Sequence, residues 1–145
     1  MMGKPLYTIV YASTAHSWVD EPALKHILKT ARDYNGAHNL TGVLLHEDGN
    51  FLQTLEGYKE DLDLVFKKIC SSQKHYDIQM ILETQITSRS FADWSMGFIE
   101  MPKDTFLRLY ADGWKENYLA LDKAPTHIGA KMIQNFWKRH YSAAM

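Results

Sequence analysis

The sequence predicts an α+β fold, a ferredoxin-like β-α-β-β-α-β sandwich with one further strand. Both helices lie on one face of the sheet, and a C-terminal helical cap covers the other. Three observations predict it. Apolar residues alternate with period two in some runs and follow helical spacing in others, in the order strand, helix, strand, strand, helix, strand, strand. An Asp-Gly pair sits between two of the strand-like runs, a cheap source of the positive φ that a tight hairpin needs. Each helix joins strands that can run parallel, and right-handed crossovers then put both helices on the same face.

The elements follow in order. Leu6 to Ser13 reads as a strand, with Tyr7, Ile9, Tyr11 and Ser13 on one side and Leu6, Thr8, Val10 and Ala12 on the other. Asp20 can cap a helix running to Asn35, with Pro22 tolerated in its first turn and Gly36 as its stop. Its apolar stripe is Leu24, Ile27, Leu28 and Ala31. Leu40 to His46 is the second strand, Glu47-Asp48-Gly49 the turn, and Asn50 to Glu56 the return strand, ended by Gly57. Leu62, Val65, Phe66 and Ile69 mark the second helix. Ile78 to Ile86 and Ser95 to Met101 are the last two strands.

The tail supplies the cap. Thr105 to Gly113 carries Phe106, Leu109 and Tyr110 at helical spacing. After a loop at Lys123-Ala124-Pro125, Thr126 caps a helix bearing Ile128, Met132, Phe136 and Trp137 on its apolar side. Residues 1–101 are therefore expected to form the core, with 102–145 an extension packed on that same domain.

The chain's 145 residues suit one domain, and 46% hydrophobic residues are enough for a real core. Sixteen Lys and Arg against 17 Asp and Glu leave a net charge of −1, so nothing in the charge favours nucleic acid or an anionic membrane as a partner. The one cysteine, Cys70, cannot close an internal disulfide, and at the apolar end of a helix it reads as a buried, inert thiol. Met1 to Leu6 carries no apolar h-region, so no signal peptide is expected, and no apolar run approaches the roughly 18 residues of a membrane span. The expectation is a cytoplasmic protein.

The usual catalytic patterns are missing. No His pair has H-x-x-x-H spacing, and there is no G-x-G-x-x-G, Walker loop or G-x-S-x-G elbow. Three polar residues resist a bland core reading. Gln53 alternates in phase with Phe51 and Leu55, so its amide must find partners or cost a few kcal/mol. It is either bonded to neighbouring backbone, exposed by register, or aimed at a ligand. Asn35 extends the Ile27, Ala31 line of the first helix, where ordinary helix-end chemistry is the competing account. Tyr11 closes a strand, and any nearby carbonyl could satisfy its hydroxyl. Together the three could line an otherwise apolar slot suited to a flat ring with polar edges. Lys67, Lys68, Lys74 and His75 cluster near the end of the second helix, as solvated charge or as contacts to a ligand phosphate.

Five segments carry a resemblance. They are Leu-Tyr-Thr-Ile-Val-Tyr-Ala-Ser at 6–13, Ala-Arg-Asp-Tyr-Asn at 31–35, Asn-Leu-Thr-Gly-Val-Leu-Leu at 39–45, Phe-Leu-Gln-Thr-Leu-Glu-Gly at 51–57 and Phe-Ala-Asp-Trp-Ser-Met-Gly-Phe at 91–98. In this order and spacing the chain, from Leu6 to Met101, resembles the BLUF domain, the blue-light sensor using FAD. The resemblance implies that Tyr11, not Tyr7, is the redox-active tyrosine and Gln53 the switching glutamine. It implies that Asn35 bonds the flavin's C4 carbonyl and N3 side, and that Ile27 packs on the ring. Lys68, Lys74 and His75 fall where basic residues approach the ribityl and phosphate part. Trp94 and Met96 match the pair that exchange proximity to the flavin and relay the signal. Ala31 departs from a serine common in relatives, and Tyr34 from Asn or His; neither touches the Tyr–Gln–flavin chain.

The implied cofactor is FAD, with FMN or riboflavin as substitutes. The implied function is non-catalytic. Light-driven electron and proton transfer from Tyr11 through Gln53 rearranges the hydrogen bonds around the flavin, with a small red shift. No effector domain is recognised, so the signal is expected to leave through a separate regulatory protein or through self-association as a homo-oligomer. A small hydrolase on the same fold, or an interaction module without cofactor, are the competing readings.

Overall fold

The computed structural model of the chain describes residues 4–17, 19–47, 49–101 and 126–135. The expected helix at 105–113, the loop at 123–125, Asp48 in the hairpin, and Phe136 and Trp137 lie outside the described residues. The elements are β1 (Leu6–Ala15), α1 (Glu21–Ala37), β2 (Thr41–Glu47), β3 (Asn50–Tyr58), α2 (Lys59–Cys70), β4 (His75–Ile86) and β5 (Gly97–Met101). Residues 128–135 form a further helix, α3.

The five strands lie in the order β4-β1-β3-β2-β5. β3 pairs antiparallel with both β1 and β2, and β4 antiparallel with β1. β1 and β2 therefore run in the same direction with β3 inserted between them, which is the split βαβ arrangement. β5 adds a parallel neighbour to β2, from Val43 opposite Gly97 to Glu47 opposite Met101.

α1 begins where Asp20 accepts a hydrogen bond from the Ala23 N–H at 3.0 Å. It runs through Gly36, so the glycine is not its stop. The stop is three residues later: the His38 N–H reaches the Tyr34 and Asn35 carbonyls, and Asn39 takes the left-handed conformation at φ 55°. α2 carries Glu60 and Asp61 in its first turn and Lys67 and Lys68 in its last, both favourable to the helix dipole.

Gly57 likewise does not end its strand; β3 continues to Tyr58. A Cβ at Gly57 would lie 2.5 Å from the Leu40 side chain, so packing and not a turn calls for glycine there. β4 starts three residues earlier than expected, at His75, helped by bulges against β1. β5 starts two residues late, at Gly97. Cys70 is exposed, contrary to expectation, because the last turn of α2 rotates it off the buried Leu62, Val65 stripe.

The core lies between α1, α2 and one face of the sheet, and includes Ile9, Tyr11, Leu28, Leu44, Phe51 and Leu55. α3 covers the opposite face. Gly129 comes so close that a Cβ would meet the Thr8 and Thr54 hydroxyls at 2.9 and 3.2 Å. Ala130 and Ile133 are buried, whereas Ile128 is 54% exposed, so the buried stripe of α3 is turned from the Ile128, Met132 line that spacing suggested. The close approach at Gly129 sets that rotation.

Candidate functional site

A cavity of about 360 Å³ opens between α1, α2 and the face of the sheet they cover. That is in the range of small-molecule sites, and the wall is mainly apolar. Sheet register builds its floor. Gln53 lies at the centre of β3 and is paired with Tyr11 on β1 and Leu44 on β2, so all three side chains point the same way. Tyr11 and Gln53 are both buried, and the Tyr11 hydroxyl donates a hydrogen bond to Gln53 Oε1. The Gln53 Nε2 group donates to Met96 Sδ at 3.2 Å. Thioether sulfur is a weak acceptor, so the amide is held firmly on its oxygen side and loosely on its nitrogen side.

α1 supplies Ile27 and Asn35 to the wall. Asn35 is buried in the last turn, and its Nδ2 donates to the Ser95 carbonyl at 2.7 Å. Among the described residues its Oδ1 has no hydrogen-bond partner. An acceptor left bare in an interior costs about 1–3 kcal/mol, which a donor on a ligand edge would remove. The end of α2 and the start of β4 bring Lys68, Lys74 and His75 to the same cavity. The Lys68 ammonium lies 4.3 Å from the centre of the Tyr34 ring.

Trp94 and Met96, expected to act as a pair, are placed apart. Met96 is buried, lines the cavity and meets Gln53. Trp94 is half-buried and outside the wall, stacked on Phe91 with centroids 5.8 Å apart. Its carbonyl accepts from the Gly42 N–H at 3.0 Å, and the Met96 carbonyl accepts from Arg32 Nε at 2.9 Å.

Electrostatics keep the floor neutral. Burial pushes the Tyr11 phenol well above its usual pKa, with the Cys70 thiol a lesser contributor. Burial also lowers the His75 pKa, against an opposing pull from its hydrogen bond to the Ile69 carbonyl. His75 Nε2 must donate to that carbonyl at 3.0 Å, so Nδ1 accepts from the Ser13 hydroxyl at 2.7 Å. Among the described residues no group of three or more His, Cys, Asp or Glu is placed to hold a metal.

Sequence reading missed the polar framework behind the floor. Thr8, Thr54 and Glu56 point away from the cavity yet are fully buried. The available signal was that both sides of the Leu6–Ser13 run lack charge, as in a strand covered on both faces. Arg32 and Ser13 were also unflagged.

A flat ring with hydrogen-bonding edges fits these residues. The cavity offers apolar walls to the ring's planes, the Asn35 and Gln53 amides as polar groups, and Lys68 and Lys74 among its lining residues. Residues 6–97 match the family described as BLUF, sensors of blue-light using FAD. The chain is 31% identical over 98 residues to the blue light- and temperature-regulated antirepressor BluF of Escherichia coli, covering 66% of this chain and 24% of that protein. It is 33% identical over 92 residues to the photoactivated adenylate cyclase subunit beta of Euglena longa, covering 63% of this chain and 11% of that one. It therefore spans about a quarter or less of these curated relatives. Among solved structures, BlsA in its ground state superposes with a TM-score of 0.65 at 32% identity, over 72% of each chain. The BLUF protein BlrB in its dark state gives 0.67 at 26% identity, over 99% of this chain and 98% of that one. With the family pattern matched over more than half its length, from the first strand to the start of the last, this chain belongs to the BLUF family of flavin-binding blue-light sensors.

Proposed function

We propose that this chain binds FAD in the cavity above Gln53 and acts as a non-catalytic blue-light photoreceptor. One observation carries the reading furthest. A buried tyrosine donates its hydrogen bond to a buried glutamine on the floor of a cavity whose wall holds a buried asparagine with an acceptor that has no partner among the described residues. Asn35 and Gln53 would hold the ring's polar edges, Ile27 would pack on its plane, and Lys68, Lys74 and His75 would lie along the ribityl and phosphate chain. FMN or riboflavin could fill the ring subsite alone.

Flavin bound here supplies, under blue light, an oxidant strong enough to take an electron from a phenol. Tyr11 is the residue placed to respond. Its hydroxyl already donates to Gln53 Oε1, so a phenol made acidic by electron loss releases its proton toward that amide. Gln53 then rotates or tautomerises. Its weak bond to Met96 is easily given up, and the return of both the electron and the proton to Tyr11 restores the phenol and leaves the amide in a new arrangement. The change biases the segment bearing Met96 and Trp94 between two packings, the two-state element that a switch requires.

The signal passes to a separate effector or regulatory protein, or to a change in self-association as a homo-oligomer. Relatives named as an antirepressor and as a cyclase subunit support a regulatory output. A cytoplasmic setting agrees with the absence, among the described residues, of any helix long and apolar enough to cross a membrane. Absorption spectroscopy of the purified protein tests the proposal. A yellow protein whose flavin band moves reversibly to the red under blue light is expected. A protein that takes up no flavin, or whose spectrum does not move, overturns it.

A further inference from the structure

Glu56 lies three residues beyond Gln53 on the opposite face of β3, and it is 0% exposed. A carboxylate that deep costs several kcal/mol unless its oxygens are fully bonded. Four donors converge on it. The Thr41 hydroxyl donates at 2.8 Å, the Ser90 and Phe91 N–H groups at 2.6 and 3.0 Å, and His127 Nε2 at 2.5 Å. The proton on His127 follows from its other nitrogen. Nδ1 accepts the Ala130 N–H at 3.0 Å, so the neutral ring carries its hydrogen on Nε2 and donates it to the carboxylate. His127 thus does two things at once: it caps the first turn of α3 and fastens that turn to β3.

The same carboxylate holds three segments: β2 through Thr41, the run leading to Met96 through Ser90 and Phe91, and α3 through His127. Neighbouring bonds reinforce the knot. Arg89 reaches Thr41 Oγ1 at 2.8 Å and the Asn39 carbonyl at 2.7 Å, and the Ser90 and Thr126 hydroxyls lie 2.7 Å apart. On the cavity side, Met96 meets Gln53, and four residues of chain join it to Phe91. A shift of Met96 therefore has a short covalent route to the amides that grip Glu56.

We propose that Glu56 and His127 form the junction through which rearrangement at Gln53 and Met96 reaches the C-terminal helix across the sheet. Both are positioning residues; neither lines the flavin cavity. The inference rests on the photosensor reading. In that light-driven step the Ser90 and Phe91 amides move with the Met96 segment, Glu56 follows them, and His127 transmits the change to the cap of α3.

Residue-resolved hydrogen exchange of the flavin-loaded protein in the dark and under blue light tests this. In the unmodified chain, illumination changes the protection of the Ser90, Phe91 and Ala130 amides together. In His127→Phe the flavin and its red shift remain. The Ser90 and Phe91 responses persist, while the amides of 128–135 exchange about tenfold faster in the dark and no longer respond to light. Unchanged protection at those three amides in an unmodified chain that does shift its spectrum overturns the junction and leaves the photosensor intact. That measurement needs no variant, so it decides the matter even if His127→Phe fails to fold. A light response in α3 that survives the substitution also overturns the junction. An unmodified chain with no red shift overturns both readings.

Discussion

Tyr11 and Gln53 stand directly opposite one another in the β1–β3 register, and the tyrosine hydroxyl donates to the glutamine carbonyl oxygen. Removing either partner separates binding from switching. Tyr11→Phe and Gln53→Leu should each keep bound flavin and lose the reversible red shift. Gln53→Leu also strands the buried hydroxyl, at a cost of about 1–3 kcal/mol in urea unfolding. A normal photocycle in either purified variant rejects the role given to that residue.

Met96 is the only residue among those described that accepts from the Gln53 Nε2 group, and it does so through sulfur. Met96→Leu preserves volume and removes the acceptor. A weak bond of this kind is worth about 0.5–1 kcal/mol, so dark recovery should slow about two- to fivefold. Trp94→Ala, outside the cavity wall, should leave the dark spectrum in place. Flash-induced absorption traces measure both, and recovery in Met96→Leu equal to the parent's counts against the sulfur contact.

Lys68 and Lys74 are among the residues lining the cavity. Each Lys→Ala variant should weaken FAD and FMN by about three- to tenfold at low salt, with the loss fading as salt is added. Riboflavin, which has no phosphate, should bind as before. Fluorescence titration with the three flavins checks this, and an equal loss for riboflavin would place the phosphate end elsewhere.

Glu56→Ala removes one acceptor from beneath four donors. Breaking a buried, fully bonded charge of this kind costs about 3–5 kcal/mol. Chemical denaturation should show a fall of that order, and a loss under about 1 kcal/mol would mean that water replaces the carboxylate without penalty.

Burial holds the His75 pKa below the ordinary histidine value. The unfolded chain takes up its proton near pH 6.5, and the folded chain only at lower pH. The unfolded state therefore binds more protons in that window. The stabilisation is complete above about pH 6.5 and is lost as pH falls toward the folded value. Urea midpoints between pH 7.5 and 5.5, about one unit either side of the ordinary histidine pKa, should drop less steeply in His75→Gln than in the parent. Identical slopes would exclude His75 as a source of the acid sensitivity.

Most of the layout was legible in the linear chain. Alternation located the strands and helical spacing located both crossover helices, because burial on one face leaves a period that no other structure reproduces. Element ends were less legible. Gly36 and Gly57 looked like stops, yet one lies inside a helix and the other inside a strand. Their reasons for being glycine, or for being tolerated, depend on neighbours distant in sequence. The site residues were legible as anomalies, amides on apolar faces, and became specific only through the spacing of five segments. Cys70 misled because an apolar stripe does not say where its last turn rotates.

Periodicity and local chemistry were sufficient for the α+β class, the strand and helix order, and the neighbours in phase with Tyr11, Gln53 and Asn35 along their own elements. Those are properties of successive residues, set by the repeat of helix and strand. The convergence of Tyr11 with Gln53 and Met96, the choice of Met96 over Trp94 at the cavity, and the burial of Glu56 against His127 were decided in three dimensions. Each depends on contacts between segments from 42 to 71 residues apart, formed only after the sheet is assembled and both its faces are covered.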